Sequence, residues 1–214
     1  MSYKTKPIIL AICGKSASGK DTLAQFLTNF LKAEDIPVHN IVSVTTRPKR
    51  EKEIGDKSYY FLNEEQFKYL RNNGKLVEHT KFRGWYYGIP YNEIKEDRLN
   101  IGVFNPKGLE NLKQHNLDYK IIPIYLEEKF LLRMRRSRDR EGRWRLEYFR
   151  RALVDFFAFI GIKKKIRTLN NGKYIVLKDS RGVWYQSRDI KYNLIRWGIL
   201  IEETEQKVRL GNFV

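Results

Sequence analysis

The chain opens on an unbroken apolar run, Pro7-Ile8-Ile9-Leu10-Ala11-Ile12-Cys13, which stops abruptly at Gly14-Lys15. A run this short, bounded by a turn signal, predicts a strand buried on both faces. After residues 14–20 the period changes. Leu23, Phe26, Leu27, Phe30 and Leu31 recur at helical spacing, so 21–33 predicts an amphipathic helix. A second strand is predicted to end near Val44. Residues 45–62 read as a polar loop leading into short strands, 63–73 as a helix capped by Asn63, and 75–90 as aromatic-rich strands. Further strands are predicted at 101–104 and 119–125, and 127–160 reads as mostly helical. Near the end, 174–177 and 183–186 flank Asp179-Ser180-Arg181-Gly182, the composition of a hairpin turn. Residues 189–204 carry Ile190, Leu194, Trp197 and Ile201 on one side and predict a closing helix. Strands alternating with helices predict an α/β fold with a parallel sheet flanked by helices. No internal repeat, Pro/Gly/Ser linker or low-complexity segment interrupts the chain, so residues 1–214 are expected to form a single domain.

The segment between the first strand and the first helix carries recognisable chemistry. Gly14-Lys15-Ser16-Ala17-Ser18-Gly19-Lys20 has the G-x-x-x-x-G-K spacing of a nucleotide phosphate loop. Backbone N–H groups must converge on phosphate oxygens there, and glycine permits the close approach. The helix that follows presents its positive end to the same anion, and Lys20 adds a point charge for the β- and γ-phosphates. Gly14 to Thr22 are therefore the candidate ATP-binding residues, namely Gly14, Lys15, Ser16, Ala17, Ser18, Gly19, Lys20, Asp21 and Thr22. The residue after Lys20 is ordinarily Ser or Thr, whose hydroxyl holds Mg²⁺. Asp21 stands here instead. It is either a metal-side carboxylate acting through water or a helix N-terminal acid favoured by the dipole, and both readings stay open.

Composition narrows the class of partner. The 214 residues are 42% hydrophobic and 31% charged, which suits a soluble globular protein. No apolar run reaches membrane-spanning length, and the first one lacks the small-residue end of a signal peptide. Cys13 is the only cysteine, so no intrachain disulfide forms, and a reducing, cytoplasmic setting is expected. The formal net charge of +17 fits phosphorylated small molecules, nucleic acid or an anionic surface, and charge alone does not choose among them.

The segment after the second strand does choose. It reads Ser43-Val-Thr-Thr-Arg47-Pro-Lys-Arg50-Glu-Lys-Glu53, then Tyr59-Tyr-Phe61, then Glu78, then Tyr86-Tyr87-Gly88. This resembles the GMP-binding subdomain of guanylate kinases, S-x-T-T-R-x-x-R-x-x-E-x(5)-Y-x-F followed by E and Y-Y-G, over roughly residues 7–110. The resemblance implies that Arg47, Arg50, Tyr59 and Tyr87 grip the acceptor phosphate, that Glu53 orients the arginines, and that Ser43 and Glu78 face guanine. The chemistry agrees. Guanidinium forks and phenol hydroxyls suit a phosphate dianion, and a carboxylate suits the adjacent N1–H and N2–H₂ donors of guanine. Phe61 and Tyr86 read as ordinary core aromatics. Two positions depart from the family pattern. Ile89 stands where Thr or Ser would follow Tyr-Gly, and Val103-Phe104-Asn105 replaces an Asp-x-Asp pair, so Asn105 becomes the candidate near the nucleotide. These changes leave open a retuned base or a deoxyribose.

Residues 133–151 hold nine arginines. Nucleotide kinases close an arginine-bearing lid over the transferring phosphate, which needs spread positive charge and exclusion of water. Arg136, Arg140 and Arg151 are the candidate catalytic arginines beside Lys20. Arg150-Arg151-Ala-Leu-Val-Asp155 resembles the R-R-x-x-x-D helix that follows the lid in phage-type nucleotide kinases. The tail, 161–214, mixes Lys163-Lys164-Lys165 with Trp184, Tyr185 and Trp197. Such interleaving also binds single strands, but a hairpin and helix packed on the domain is the expected reading.

Together these features imply a P-loop nucleoside monophosphate kinase using Mg-ATP and (d)GMP. The expected division is a core of about 1–44 and 99–130, an acceptor subdomain of about 45–98, a lid and following helix of about 131–160, and a hairpin and helix in about 161–214. Alternatives are a broader phage-type deoxynucleoside monophosphate kinase, a ribose bisphosphate phosphokinase sharing the G-K-D loop, a peptide-binding scaffold, or a nucleic-acid-binding protein using the basic surface. The intact phosphate loop opposes the scaffold, and the ordered acceptor motif opposes the last.

Overall fold

The computed structural model describes residues 6–49, 59–114, 119–141, 146–169, 171–178, 182–204 and 207–210. Its centre is the first apolar run, strand β1 (Ile8–Gly14), buried along its whole length. Alternation splits its side chains between two cores. Ile8, Leu10 and Ile12 face α1 (Lys20–Lys32) through Leu23, Leu27 and Leu31. Ile9, Ala11 and Cys13 face the opposite side, where Leu109, Leu112, Ile162 and Ile166 close the second core. An interior strand covered on both faces has no place for polar side chains, which is why the sequence shows a continuous run.

Strands β2 (Val38–Asn40), β7 (Leu99–Phe104), β8 (Lys120–Glu127) and β9 (Ile175–Lys178) join β1 in one parallel sheet, ordered β2-β7-β1-β8-β9 among the described residues. The chain runs from β1 out to β2, returns to β7, and then crosses β1 to β8 and β9. The strand order therefore reverses around β1, and such reversals open a crevice at the carboxyl ends of the strands.

A second sheet, ordered β4-β3-β6-β5, is inserted between β2 and β7. It comprises β3 (Ser43–Thr45), β4 (Tyr59–Phe61), β5 (Leu76–Phe82) and β6 (Trp85–Pro90). The predicted strand ending near Val44 is thus two strands in two sheets, and Ser43 and Val44 leave the core for the insertion. Helix α2 (Glu64–Asn72) covers one face of this sheet. It begins at Asn63, the cap the sequence predicts, and the structure adds the reciprocal bond of a capping box, Asn63 and Gln66 each bonding the other's backbone.

Helices α3 (Pro106–Gln114), α4 (Phe130–Glu141), α5 (Leu146–Ala158) and α6 (Ile162–Arg167) follow the core strands. The end of the chain departs from expectation. Residues 174–177 do not form a hairpin arm but supply β9, the edge of the core sheet beside β8. Residues 183–186 open a helix, α7 (Val183–Arg196), whose buried Ile190 and Leu194 pack against α1. The β-prone Val-Trp-Tyr start is overridden by that tertiary contact. The closing helix also ends sooner than 204. Gly198, at φ +67°, donates to Ile195 O at 2.8 Å while Ile199 donates to Leu194 O at 2.8 Å, a glycine stop that the apolar periodicity concealed. The antiparallel strands β10 (Leu200–Thr204) and β11 (Lys207–Leu210) come after it. No described helix is long and apolar enough to cross a membrane.

Candidate functional site

The crevice is built where β1 ends. Gly14 closes the strand in a space that admits no side chain. A Cβ there would sit 2.7 Å from Ser18 Oγ and 2.8 Å from the backbone oxygen of Leu126. The loop then turns through Ala17 at φ +58° and Gly19 at φ +93°, left-handed conformations that let the chain wrap back into α1. Lys20 begins that helix and its Nζ donates to Lys15 O at 3.2 Å, lying across the loop. Burial pushes the Lys20 ammonium below its ordinary pKa. Asp21 and Asp155 pull it back up, and Arg83 pushes it down again. Asp21 and Thr22 are exposed in the first turn of α1. Burial likewise drives the Cys13 thiol up to about 12, against the opposing pull of Lys20, so it is an inert core group.

β1 and β7 end side by side, Cys13 pairing with Phe104, which puts Asn105 next to the loop. Asn105 Oδ1 accepts from Gly108 N at 2.9 Å and caps the start of α3. Glu78 packs against that same turn. A Cβ on Gly108 would lie 3.3 Å from Glu78 Oε2, so glycine there lets the carboxyl approach the helix start. Glu78 is 4% exposed, and among the described residues its Oε2 has no hydrogen-bond partner. Burial pushes its pKa up from 4.5 to about 8. Ile89, which pairs with Glu78 across the β5–β6 ladder, is 1% exposed and makes that wall apolar.

Register explains how the acceptor candidates share one face. Ser43 pairs with Tyr59, Thr45 with both Phe61 and Tyr87, Tyr87 with Thr80, and Ile89 with Glu78. Directly opposed residues point the same way, so Ser43, Tyr59, Phe61, Tyr87 and Glu78 lie on one surface. The other surface holds Val44 and Tyr86, which pack with Phe67 of α2, the Tyr86 and Phe67 rings stacking at 5.2 Å. Tyr86 is the core aromatic the sequence suggests. Phe61 is not. It lies on the opposite surface with Tyr87, where the Arg47 guanidinium lies 5.5 Å from its ring and 5.6 Å from that of Tyr59. Tyr59 and Tyr87 meet edge to face at 6.1 Å. Arg50 and Glu53 lie outside the described residues.

Of the lid candidates, Arg136 reaches the loop, its Nη1 donating to Ser18 O at 3.1 Å while lying 3.6 Å from Glu128. Arg140 falls in the last turn of α4, with its side chain outside the described set. Arg151 is on α5, where its backbone oxygen accepts from Arg83 at 3.2 Å. Three residues not chosen from the sequence, Arg133, Asp155 and Arg83, join the loop. Arg133 is 5% exposed and donates to Ser16 O at 3.3 Å. Asp155, 1% exposed, accepts from Ser16 N at 2.6 Å and from Arg83. Only the R-R-x-x-x-D pattern pointed towards Asp155. Among the described residues no group of three or more His, Cys, Asp or Glu is placed to hold a metal ion.

Comparison with known proteins places this geometry in a family. Residues 4–146 match the family model for guanylate kinase. A guanylate kinase of Ehrlichia ruminantium (strain Gardel) is 34% identical over 136 residues, covering 59% of this chain and 63% of the relative. One from Lactobacillus acidophilus is 37% identical over 91 residues, 42% of this chain and 43% of the relative. The chain thus spans less than two thirds of the length of these relatives. The crystal structure of guanylate kinase from Anaplasma phagocytophilum superposes with a TM-score of 0.62 over 96% of this chain and 90% of that one, at 19% identity, which supports the fold. With its family model matched over well more than half its length, the chain belongs to the guanylate kinase family.

Proposed function

We propose that the protein transfers the γ-phosphoryl group of ATP to a nucleoside monophosphate, with (d)GMP the favoured acceptor. One observation carries this reading: β1 and β7 end side by side at Cys13 and Phe104, the phosphate loop following one and the turn that Glu78 packs against following the other, and the inserted sheet touches the loop through Arg83 and Ser16. Donor and acceptor sites on either side of one crevice are what in-line transfer requires.

Each side has a distinct task. The loop N–H groups and Lys20 hold the donor phosphates. Arg47, Arg50, Tyr59 and Tyr87 hold the acceptor phosphate, and Glu53 orients the arginines. Ser43 and Glu78 read the base, with Asn105 between the two sites. Arg136, Arg140 and Arg151 spread positive charge over the transferring group and exclude water. Mg²⁺ arrives as Mg-ATP and neutralises phosphate charge. The exposed carboxylate of Asp21 at the head of α1 fits an ion that keeps most of its waters and takes one protein carboxylate. The single buried Cys13 fits a reducing compartment, the cytoplasm.

The test is ADP release in a coupled assay against all eight common NMPs and dNMPs. GMP or dGMP should turn over fastest. Comparable rates with pyrimidine nucleotides would replace this reading by the broader deoxynucleotide kinase, and no release above the acceptor-free background would refute it.

A further inference from the structure

The hairpin between β5 and β6 turns at Arg83-Gly84, both at positive φ (+55° and +87°), and so projects a charged side chain from the tip of the acceptor sheet. That arginine does not point into solvent. Its side chain is only 15% exposed. Nη2 donates to Ser16 Oγ at 2.6 Å, to the Arg151 backbone oxygen at 3.2 Å, and to Asp155 Oδ1. The guanidinium also lies 4.9 Å from the centre of the Phe82 ring, which fixes its plane. One side chain thus ties three parts of the kinase together: acceptor sheet, phosphate loop and post-lid helix. These contacts cross 67 to 72 residues of sequence.

Asp155 completes the arrangement. Its second oxygen accepts from Ser16 N at 2.6 Å and lies 4.0 Å from Arg133 Nη1. The loop is therefore gripped at Ser16 through both backbone and hydroxyl. A buried carboxylate facing two arginines and an amide is a satisfied, directional anchor, and removing one partner leaves a buried charge exposed to imbalance. Among the described residues the buried Arg83 Nε has no acceptor, a loss tolerated for the sake of the other bonds.

We propose that Arg83 is a positioning residue: through Asp155 and Ser16 it latches the acceptor sheet to the phosphate loop, setting the distance between donor and acceptor phosphates. This rests on the kinase reading above. The latch acts on alignment, so it governs the transfer step more than the affinity for either nucleotide.

The experiment compares wild type, Arg83→Ala, Arg83→Lys and Lys81→Ala with ATP and GMP. Lys81 is an exposed neighbour in the same hairpin and serves as control. Arg83→Ala should lower kcat about 10- to 100-fold with KM for ATP changed less than about twofold. Arg83→Lys keeps the charge but not the fork, and guards against misfolding of the alanine variant. It should fall between alanine and wild type, and Lys81→Ala should match wild type. Undiminished kcat in Arg83→Ala, or an equal rise in KM for ATP, overturns the latch. Amide hydrogen exchange at Ser16, measured on the same proteins, separates the two claims. If wild type phosphorylates no nucleotide, the kinase reading falls. Faster Ser16 exchange in Arg83→Ala and Arg83→Lys would still support the latch, and unchanged exchange would overturn it.

Discussion

Glu78 offers the sharpest test of the proposed base reading, because burial brings its titration close to neutral pH. Buried against Gly108 and Ile89, with Oε2 unpartnered among the described residues, it holds its proton up to about 8. In the proposed site the N1–H and N2–H₂ donors of guanine bind the ionised form. Binding must then expel a proton. Near pH 7 about a tenth of the free protein carries ionised Glu78, so acceptor affinity is reduced about tenfold from its high-pH limit. Between pH ~6.5 and ~8.5 the KM for GMP should fall by about 25-fold, while KM for ATP stays nearly flat. Steady-state kinetics across that range measures the slope. Calorimetry in buffers of different ionisation enthalpy should show close to one proton released per GMP bound below pH ~7. Glu78→Gln keeps the shape and removes the titration. It should flatten the profile and lower kcat/KM for GMP above pH ~8 by about 5- to 150-fold, the cost of leaving a guanine donor unpaired. A KM for GMP independent of pH, or the same slope in Glu78→Gln, would refute the reasoning.

The same group predicts the stability of the empty protein. Its folded pKa lies above its unfolded value, so its stabilising contribution is complete below about 4.5 and is lost as pH rises towards about 8, by roughly 1.4 kcal/mol per unit in that window. Denaturant melts at pH ~5 and ~8 should show wild type losing ground relative to Glu78→Gln, and equal losses would contradict it. Lys20→Ala should cut kcat by about 100- to 1,000-fold while the far-UV spectrum is unchanged, since the side chain crosses the loop without filling the core. Arg47→Ala should raise KM for GMP and reduce kcat/KM about 10- to 100-fold, at about 1.5–3 kcal/mol for a charged hydrogen bond, with ATP binding intact by titration. Gly14→Ala should destabilise by about 1–3 kcal/mol in urea melts, because the new methyl meets the Leu126 backbone oxygen at 2.8 Å and nothing there can yield cheaply.

What the sequence determined by itself is what contiguous residues decide. The phosphate loop is legible because its glycines, its lysine and the flanking strand and helix follow one another, and each requirement is local. The helix cap at Asn63 is legible for the same reason. The candidate acceptor face is half legible. Its residue types were visible in order, but which of them share a surface depended on register, and register moved Phe61 out of the core and left Tyr86 in it. The hairpin expected around 179–182 failed because turn composition also suits a helix start, and packing against α1 decided for the helix. Only the tertiary structure could supply the Arg83–Asp155–Ser16 cluster or the pKa of Glu78. Asp155 and Ser16 are 139 residues apart, and nothing in either neighbourhood encodes the other. Glu78 reads in sequence as an unremarkable strand carboxylate. Its proton is held by Ile89 and by the first turn of α3 pressed against it, and desolvation of that kind exists only once the chain has folded.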